Sequence, residues 1–275
     1  MSSYETDDKK EMSLKEKCYS YQKEVNYFLD PDKYIIAHID GRGFSNLIKN
    51  KFEKPFDDAF IHMMNETAKF VCKEVQGCIL AYTQSDEISL IIRKNEPEGD
   101  VFFGGRMCKM QSIIASLATS EFNRQLLLYH MEKSNGMGPL ELLKNTKLAQ
   151  FDCKVWNVDT ANDAVAWILF RSIDCVRNSK QQACQTYLPH KILMSKNTDE
   201  QIEILKTTKG VDWHKFSEDK KFGRLIKKTI EVHKMNDGEE YERSRWKEFP
   251  FYDMTDKDNR ENFINEFNLK DNENE

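Results

Sequence analysis

The sequence has no long hydrophobic run, no recognisable leader and no strong excess of charge of either sign. None of its apolar stretches approaches the roughly 18 residues that a membrane-spanning helix needs. The N-terminal stretch has no apolar signal core, and its acidic residues (Glu5, Asp7, Asp8 and Glu11) disfavour a mitochondrial transit peptide. We therefore expect a cytoplasmic protein that does not enter a membrane, and an organellar location stays open.

Paired cysteine motifs are also absent. The seven cysteines are scattered, no CxxC occurs, and no cysteine–histidine cluster has zinc spacing. Several, such as Cys153, lie in apolar contexts where a free cysteine behaves as a small hydrophobe. We expect all seven to be reduced and structural, which disfavours a disulfide scaffold or a zinc finger.

The composition is that of a globular mixed α/β protein. The 275 residues are 39% hydrophobic and 32% charged, enough to bury a sizeable core. The net charge of −5 argues against a protein that binds polyanions with its whole surface. RNA binding remains open, because it requires only a local basic face.

Two short acidic segments about 45 residues apart carry the strongest chemical signal. Asp40 ends an apolar run, IIAHIDG, and Asp86 lies inside a second, ILAYTQSDEISLII. Carboxylates on adjacent strands can hold the pair of Mg²⁺ ions used in nucleotidyl transfer, and Gly41 lets a backbone carbonyl approach a metal. Taken alone, each segment could be an ordinary turn with no function, because Asp-Gly is a common turn dipeptide and hairpin tips are often acidic.

Hydrophobic periodicity predicts an α+β, mixed α/β fold. Strands are predicted at 34–40, 78–82, 88–92 and 151–158, and helices at 57–75, 107–128 and 163–187. The order strand–helix–strand–strand is half of a ferredoxin-like antiparallel sheet flanked by helices, the palm of many polymerases. We divide the chain into a flexible N-terminal segment (1–20), a palm-like catalytic domain (21–158), a helical C-terminal region with a basic patch (159–260) and an acidic disordered tail (261–275).

Basic residues mark candidate contacts with nucleotides and RNA. Lys54 precedes a predicted helix N-terminus and could neutralise a triphosphate, while His38 either faces the site with Asp40 or only packs there. A lysine-rich stretch predicts basic helix faces for RNA, although a solvated surface is an equal reading. Its residues are Lys206, Lys209, Lys215, Lys220, Lys221, Arg224, Lys227 and Lys228. A second candidate surface comprises Arg171, Arg177, Asn178 and Lys180.

Five segments resemble, in order, the tRNA(His) guanylyltransferase superfamily over roughly residues 30–190. They are HIDGRGFSNL, FEKPFDD, ILAYTQSDEISLII, FDCKVW and FRSIDCVRNS. Members of this family are 3′–5′ polymerases that add nucleotides to the 5′ end of RNA on a palm. The resemblance implies that Asp40 and Asp86 bind two Mg²⁺ ions with the Gly41 carbonyl, and that Glu87 is a third catalytic residue.

The resemblance also implies a nucleotide pocket, substrates and an assembly. The pocket residues are Arg42, Gly43, Phe44, Phe52, Lys54, Asp57 and Ser85. ATP, GTP and other nucleoside triphosphates are the expected substrates, together with a tRNA or another structured RNA. The RNA 5′ end would be a triphosphate or a monophosphate activated by ATP, and a homotetramer is expected.

One departure from the family pattern bears on specificity. Enzymes dedicated to tRNA(His) carry His-Ile-Asn-Asn where residues 176–179 here read Val-Arg-Asn-Ser. This ending resembles the guanylyltransferase-like branch, which is associated with templated repair of truncated tRNA 5′ ends. We therefore expect template-dependent addition to a recessed 5′ end, with untemplated addition of the −1 guanosine to tRNA(His) as the alternative.

Two other classes fit less well. A nucleotide cyclase would use the same carboxylates, but the hairpin lacks the Gly-Gly-acid-Glu-Phe pattern of diguanylate cyclases. A non-catalytic RNA-binding protein on a ferredoxin-like sheet would need stacking aromatics on its central strands. Those strands carry isoleucine, leucine and acidic residues instead, so a catalytic function is favoured.

Overall fold

The computed structural model describes residues 12–48, 51–94, 99–133, 138–234, 240–254 and 256–267. A six-stranded antiparallel sheet with the order β4-β1-β3-β2-β5-β6 lies at its centre. The strands are β1 Tyr34–Gly41, β2 Cys78–Gln84, β3 Glu87–Ile92, β4 Phe151–Val158, β5 Arg224–Lys234 and β6 Glu240–Pro250. The arrangement of β1 to β4 is that of a ferredoxin-like palm. The predicted fold class is confirmed.

Ten helices surround the sheet in the described ranges. They are α1 Leu14–Lys23, α2 Phe44–Ile48, α3 Asp58–Glu74, α4 Met107–Lys133, α5 Pro139–Asn145, α6 Ala161–Tyr187, α7 His190–Leu193, α8 Thr198–Lys209, α9 Glu218–Phe222 and α10 Lys257–Glu266. Side-chain caps fix where the two helices nearest the site begin. Asp57 accepts from the Phe60 amide at the start of α3, and Thr160 forms a capping box with Asp163 at the start of α6.

Both faces of the sheet are buried, and alternate strand residues separate the two cores. Ile35, Ala37 and Ile39 of β1 belong to the core that includes α3 and α4. Tyr34 and Ile36 belong to the opposite core, which contains α6 and the C-terminal segment. Burial on both faces explains why the strands are apolar at nearly every position. It also confines polar side chains on β1 to its C-terminal half.

The C-terminal region differs from its prediction, because Arg224–Lys234 and Glu240–Pro250 are strands and not helices. β5 pairs with β2 only at Arg224–Lys227, and beyond that point β5 and β6 pair with each other alone. They therefore extend from the sheet as a two-stranded arm. Basic residues at 220, 221, 224, 227 and 228 have helical spacing, and this spacing misled the prediction. The β-branched residues in TIEV, at 229–232, favour the observed strand.

The ends of the chain are more ordered than predicted where the structure describes them. α1 begins within the segment predicted to be flexible, and α10 continues to Glu266, where a disordered tail was predicted from 261. Phe263 of α10 is fully buried, which anchors that helix. Residues 1–11 and 268–275 lie outside the described ranges. All seven cysteines are free, and in the described ranges no helix has the length and apolarity to cross a membrane.

Candidate active site

A two-residue turn presents Asp86 at the end of the central hairpin. Gln84 pairs with Glu87 across β2 and β3, so Ser85 and Asp86 alone form the turn. Ser85 has a φ of 48°, a left-handed conformation that costs a non-glycine residue about 1 kcal/mol or more. Its Oγ donates to Asp86 Oδ1 over 2.9 Å. The turn thus holds the Asp86 carboxylate in one orientation.

Asp40 lies beside this hairpin in a row of acidic residues. It pairs with Glu87 on β3 and with Asp152 on β4. Burial and then the charge of Glu87 raise the pKa of Asp40. Burial also raises the pKa of Asp86 to about 6, and the charges of Asp40 and Glu87 add to the effect. Like charges this close destabilise one another, so this end of the sheet favours a bound cation.

The residues around Asp40 and Asp86 have the donor chemistry that Mg²⁺ prefers. A Cβ at Gly41 would overlap the Phe44 ring and lie 2.8 Å from Asp86 Oδ2, so only glycine fits between them here. Two carboxylates and a backbone carbonyl form an oxygen-only donor set, which hard cations prefer and which leaves positions for water and phosphate. Within the described ranges, no cluster of three or more His, Cys, Asp or Glu side chains is arranged to hold a metal.

Glu87 forms an ion pair with Arg171 of the protein itself. Arg171 on α6 donates from Nε to Oε2 over 2.9 Å and from Nη2 to Oε1 over 2.7 Å. Gln84 Nε2 also donates to Glu87, and Arg171 Nη1 donates to Asp174. Only 12% of the Arg171 side chain is exposed. Arg171 was predicted to lie on an exposed RNA surface, but instead it links α6 to the hairpin that carries Asp86.

His38 packs beneath the acidic row as a neutral side chain. Its Nδ1 lies 3.1 Å from Ser89 Oγ, which accepts a hydrogen bond from Trp167 Nε1 over 3.0 Å. Burial lowers the pKa of His38 to about 4. The hydrogen bond to Ser89 and the lowered pKa indicate that His38 packs in the structure and does not face the site.

A cavity of about 100 Å³ lies next to the hairpin tip. Phe52, Phe56 and Phe60 form its aromatic wall, and Ser85 marks its boundary with the turn. Six residues predicted to bind nucleotide or RNA meet here, namely Phe52, Asp57, Ser85, Asn178, Lys220 and Arg224. The structure thus combines in one cavity residues that the sequence assigned to two surfaces. The sequence analysis missed Phe56 and Phe60, because apolar residues at helical spacing near α3 are typical of a core.

The other predicted nucleotide residues lie in different surroundings. Phe44 is 2% exposed and packs against Phe122 and Phe151, so it is a core residue and not a nucleotide contact. Lys54 is exposed and does not line the cavity. Arg42 Nη1 donates to Gln150 Oε1 over 3.2 Å, and Gly43 has a φ of 66° in the turn before α2. Asp57 lines the cavity while its two oxygens accept backbone N–H groups from Phe60 and Glu53.

The predicted basic surface does not form one helical face. Lys180 pairs with Asp199, Lys220 pairs with Asp58, and Lys221 donates to the His214 carbonyl. Arg177 is 57% exposed and pairs with Asp174. Arg224 is buried at the start of β5, so it cannot contact RNA on an exposed surface.

A basic groove of about 550 Å³ was not predicted. Its cations are Lys69, Lys73, Arg124, Lys228, Arg243 and Arg245, and its acidic residues are Glu66 and Glu121. They come from α3, α4, β5 and β6, so no segment of the sequence shows the groove. Its charge makes it a candidate path for an RNA backbone.

The fold and the site agree with a family match. A model of the tRNAHis guanylyltransferase family matches residues 15–159, just over half of the chain. The chain belongs to this family. An uncharacterized protein of Acanthamoeba polyphaga mimivirus is 30% identical over 226 residues, which cover 76% of this chain and 75% of that protein. The tRNA(His) guanylyltransferase of Eremothecium gossypii is 29% identical over 229 residues, which cover 78% of this chain and 90% of that protein.

Solved structures share the fold over nearly the whole chain. A bacterial tRNA(His) guanylyltransferase-like protein in complex with ATP superposes with a TM-score of 0.77 at 23% identity, covering 93% of this chain and 98% of that one. A complex of such a protein with GTP superposes with a TM-score of 0.72 at 24% identity, covering 92% of this chain and 98% of that one. Members of the family are nucleotidyltransferases that add nucleotides to the 5′ end of tRNA in the 3′–5′ direction. This chain is accordingly an enzyme of that class.

The Arg171–Glu87 pair gives the first prediction. We expect Arg171→Met to lower the free energy of unfolding by about 3 kcal/mol, because it leaves a largely buried carboxylate without its cation. The Arg171→Met/Glu87→Gln double variant should recover part of that loss in urea unfolding. Arg177→Met is the matched control, since its exposed pair contributes little. Equal losses for Arg171→Met and the control would contradict the assignment.

Proposed function

We propose that this enzyme repairs or edits RNA 5′ ends by template-dependent 3′–5′ addition of nucleotides. The substrate is a tRNA, or a tRNA-like RNA with a recessed 5′ end, whose opposing strand selects the incoming nucleotide. One observation carries the proposal. Asp40 and Asp86 lie together at the end of the central strands, and a cavity with an aromatic wall lies beside them.

The protein's own residues serve the chemistry mainly by position. Asp40, Asp86 and the Gly41 carbonyl would hold two Mg²⁺ ions. Bound there, these ions would lower the pKa of the attacking 3′-hydroxyl of the incoming nucleotide and neutralise the triphosphate. Glu87, held by Arg171, fixes the hairpin that carries Asp86. The 3′-hydroxyl attacks the RNA 5′ phosphorus in line and displaces pyrophosphate from a 5′ triphosphate, or AMP from a monophosphate activated by ATP; orientation and charge neutralisation supply most of the rate.

The surroundings of residues 176–179 favour templated addition. Val176 occupies the position of the family histidine and packs against a small apolar cluster under the end of α6. It has no polar group with which to contact RNA or nucleotide, whereas Asn178 faces the cavity. Selection by base pairing needs no such side chain. The alternative is addition of the −1 guanosine to tRNA(His), and several relatives are named tRNA(His) guanylyltransferases.

A nucleotide-by-nucleotide assay distinguishes the two activities. With Mg²⁺, ATP and a 5′-labelled tRNA lacking its first nucleotide, we expect each nucleoside triphosphate to be added only opposite its complementary base. Changing the opposing base should change which nucleotide is added, as read by gel. Addition of guanosine alone, and only to tRNA(His), would establish the alternative. RNA binding without any extension would point to a non-catalytic RNA-binding protein.

Asp86→Asn should separate activity from stability. We expect loss of nucleotide addition, because an amide cannot supply the charge that holds Mg²⁺. Since folding raises the pKa of Asp86 to about 6, its ionisation at higher pH reduces the free energy of unfolding. The uncharged variant should therefore be more stable at pH 7 in EDTA, by on the order of 2 kcal/mol in urea unfolding. Asp159→Asn, an exposed control, should change neither quantity. An active or clearly destabilised Asp86→Asn variant would disprove the assignment.

The RNA backbone is proposed to follow the basic groove between α3, α4 and the β5–β6 arm. Six cations and two carboxylates line it, Lys69 and Arg245 also pair with Glu248 and Glu231, and Trp246 adds an aromatic surface. Such a groove binds phosphates by releasing counterions, independently of sequence.

Charge reversal tests this path. Lys73 is 73% exposed, so Lys73→Glu should leave the fold intact while weakening RNA binding. The slope of log K against log salt should become shallower by about one phosphate contact. Lys257→Glu, at 78% exposure on α10, is the matched control and should bind as wild type does. Equal effects of both substitutions would mean that the groove has no specific part in binding.

We also propose that the protein is cytoplasmic and that it forms a homotetramer. The homotetramer is supported by apolar side chains exposed on α4 and α5, namely Leu128, Met131, Leu140 and Leu143. We also propose a division into segments at 20, 158 and 260, although α1 and α10 cross the first and last of these boundaries and the C-terminal part of the sheet belongs to the third segment.

A further inference from the structure

Phe170 is an aromatic residue on α6 that stays exposed close to the acidic row. About half of it, 52%, is in contact with solvent. Its ring packs against Trp167, with 5.6 Å between the ring centroids, and the Arg171 guanidinium lies 5.2 Å from its centroid. Arg171 in turn holds Glu87. A single side chain therefore separates this ring from the hairpin that carries the catalytic carboxylate, although burying the ring would stabilise the fold.

Phe170 and the cavity lie at different points along α6. Asn178 of α6 lines the cavity, next to Ser85 at the hairpin tip. Trp167, one turn before Phe170, contacts His38 on β1 instead, with 5.2 Å between the ring centroids. A helix rises about 1.5 Å per residue, so Phe170 and Asn178 are about 12 Å apart along the helix axis. α6 thus runs from Phe170 on the β1 side of the acidic row to the cavity on the β2 side.

The two substrates of nucleotide addition approach Asp40 and Asp86 from different sides. The cavity holds the incoming nucleotide, so the RNA end that reacts with it comes from the β1 side, where Phe170 lies. Lys154 pairs with His38 across β4 and β1 and is exposed on the same sheet face. It supplies a positive charge for an RNA phosphate. An exposed ring beside a cation suits the end of an RNA better than an apolar surface of a second copy.

Resting on the proposed nucleotide addition, we propose that Phe170 is the residue on which the terminal base pair of the RNA stacks, so that its 5′ end reaches Asp40 and Asp86. The end of an RNA duplex exposes the flat face of its last base pair. An aromatic ring stacks on that face whatever the bases are. This tolerance suits templated addition, because every added nucleotide changes the terminal pair.

A fluorescent base at the RNA end tests this contact without relying on activity. The probe is a tRNA acceptor-stem hairpin with a recessed 5′ end and 2-aminopurine as its 5′-terminal base. Wild type and Phe170→Tyr should quench its fluorescence. Phe170→Leu keeps an apolar cover over the Arg171–Glu87 pair but cannot stack, so it should leave the probe unquenched and bind the RNA on the order of tenfold more weakly.

Three controls separate stacking from other effects. Tyr21→Leu removes an exposed aromatic side chain of α1 and should behave as wild type does. The same fluorescent base placed in the middle of the stem should respond to none of the proteins. Calorimetry should give one affinity for ATP in wild type and in all three variants, because Phe170 does not line the cavity.

The outcomes that overturn the proposal differ from those that refute nucleotide addition. Equal quenching and affinity for Phe170→Leu and wild type would mean that Phe170 only covers the ion pair. A wild-type protein that binds the RNA without quenching its terminal base overturns the proposal even if no variant folds. A smaller assembly of Phe170→Leu in analytical ultracentrifugation, together with weaker RNA binding, assigns the residue to a second copy instead. Nucleotide addition stands in each of these cases, whereas a wild-type protein that neither binds nor extends the RNA refutes the proposed function itself.

Discussion

Crowding of carboxylates at one end of the central strands is the constraint on which the rest of the structure depends. Asp40, Glu87 and Asp152 are neighbours across three strands, and Asp86 lies at the adjoining turn. Arg171 neutralises Glu87, while burial raises the pKa values of Asp40 and Asp86. The fold tolerates this repulsion because both faces of the sheet are buried, so the strands cannot separate to relieve it. Unfavourable charge of this kind favours a bound cation over an empty site.

Two backbone features complete that constraint. Ser85 adopts a left-handed conformation in the shortest possible turn, and Gly41 leaves room for the Asp86 carboxylate. Neither contributes stability. Strain of this kind persists only where the surrounding packing determines it, and here the packing comes from Ile39 and Ile88 on the strands beneath. The site is therefore rigid because the sheet is rigid, which suits a reaction that depends on positioning.

The sequence reveals the parts of this design that depend on local pattern. The strands β1 to β4 and the helices between them follow from apolar runs, and Asp40 and Asp86 stand out because acids interrupt those runs. The parts that depend on contacts between distant segments were hidden. Arg171 and Glu87 are 84 residues apart, and Arg224 looked like one cation among many. Phe44 belonged to a motif but packs in the core, since a motif does not show which way a side chain points. The β5–β6 arm was missed because its lysines have helical spacing.

Arg171 and Arg224 show how far the structure extends the sequence argument. Both were predicted to lie on RNA surfaces, but the Arg171 side chain is only 12% exposed and Arg224 is buried. Arg171 is surrounded by the carboxylates of Glu87 and Asp174, so its charge is balanced and its role is to hold the hairpin. Among the described residues, Arg224 has only the Asn65 amide and the Asp219 carbonyl as hydrogen-bond partners, with one nitrogen left over. Arg224 is therefore held by uncharged groups alone, and its burial is the less favourable of the two.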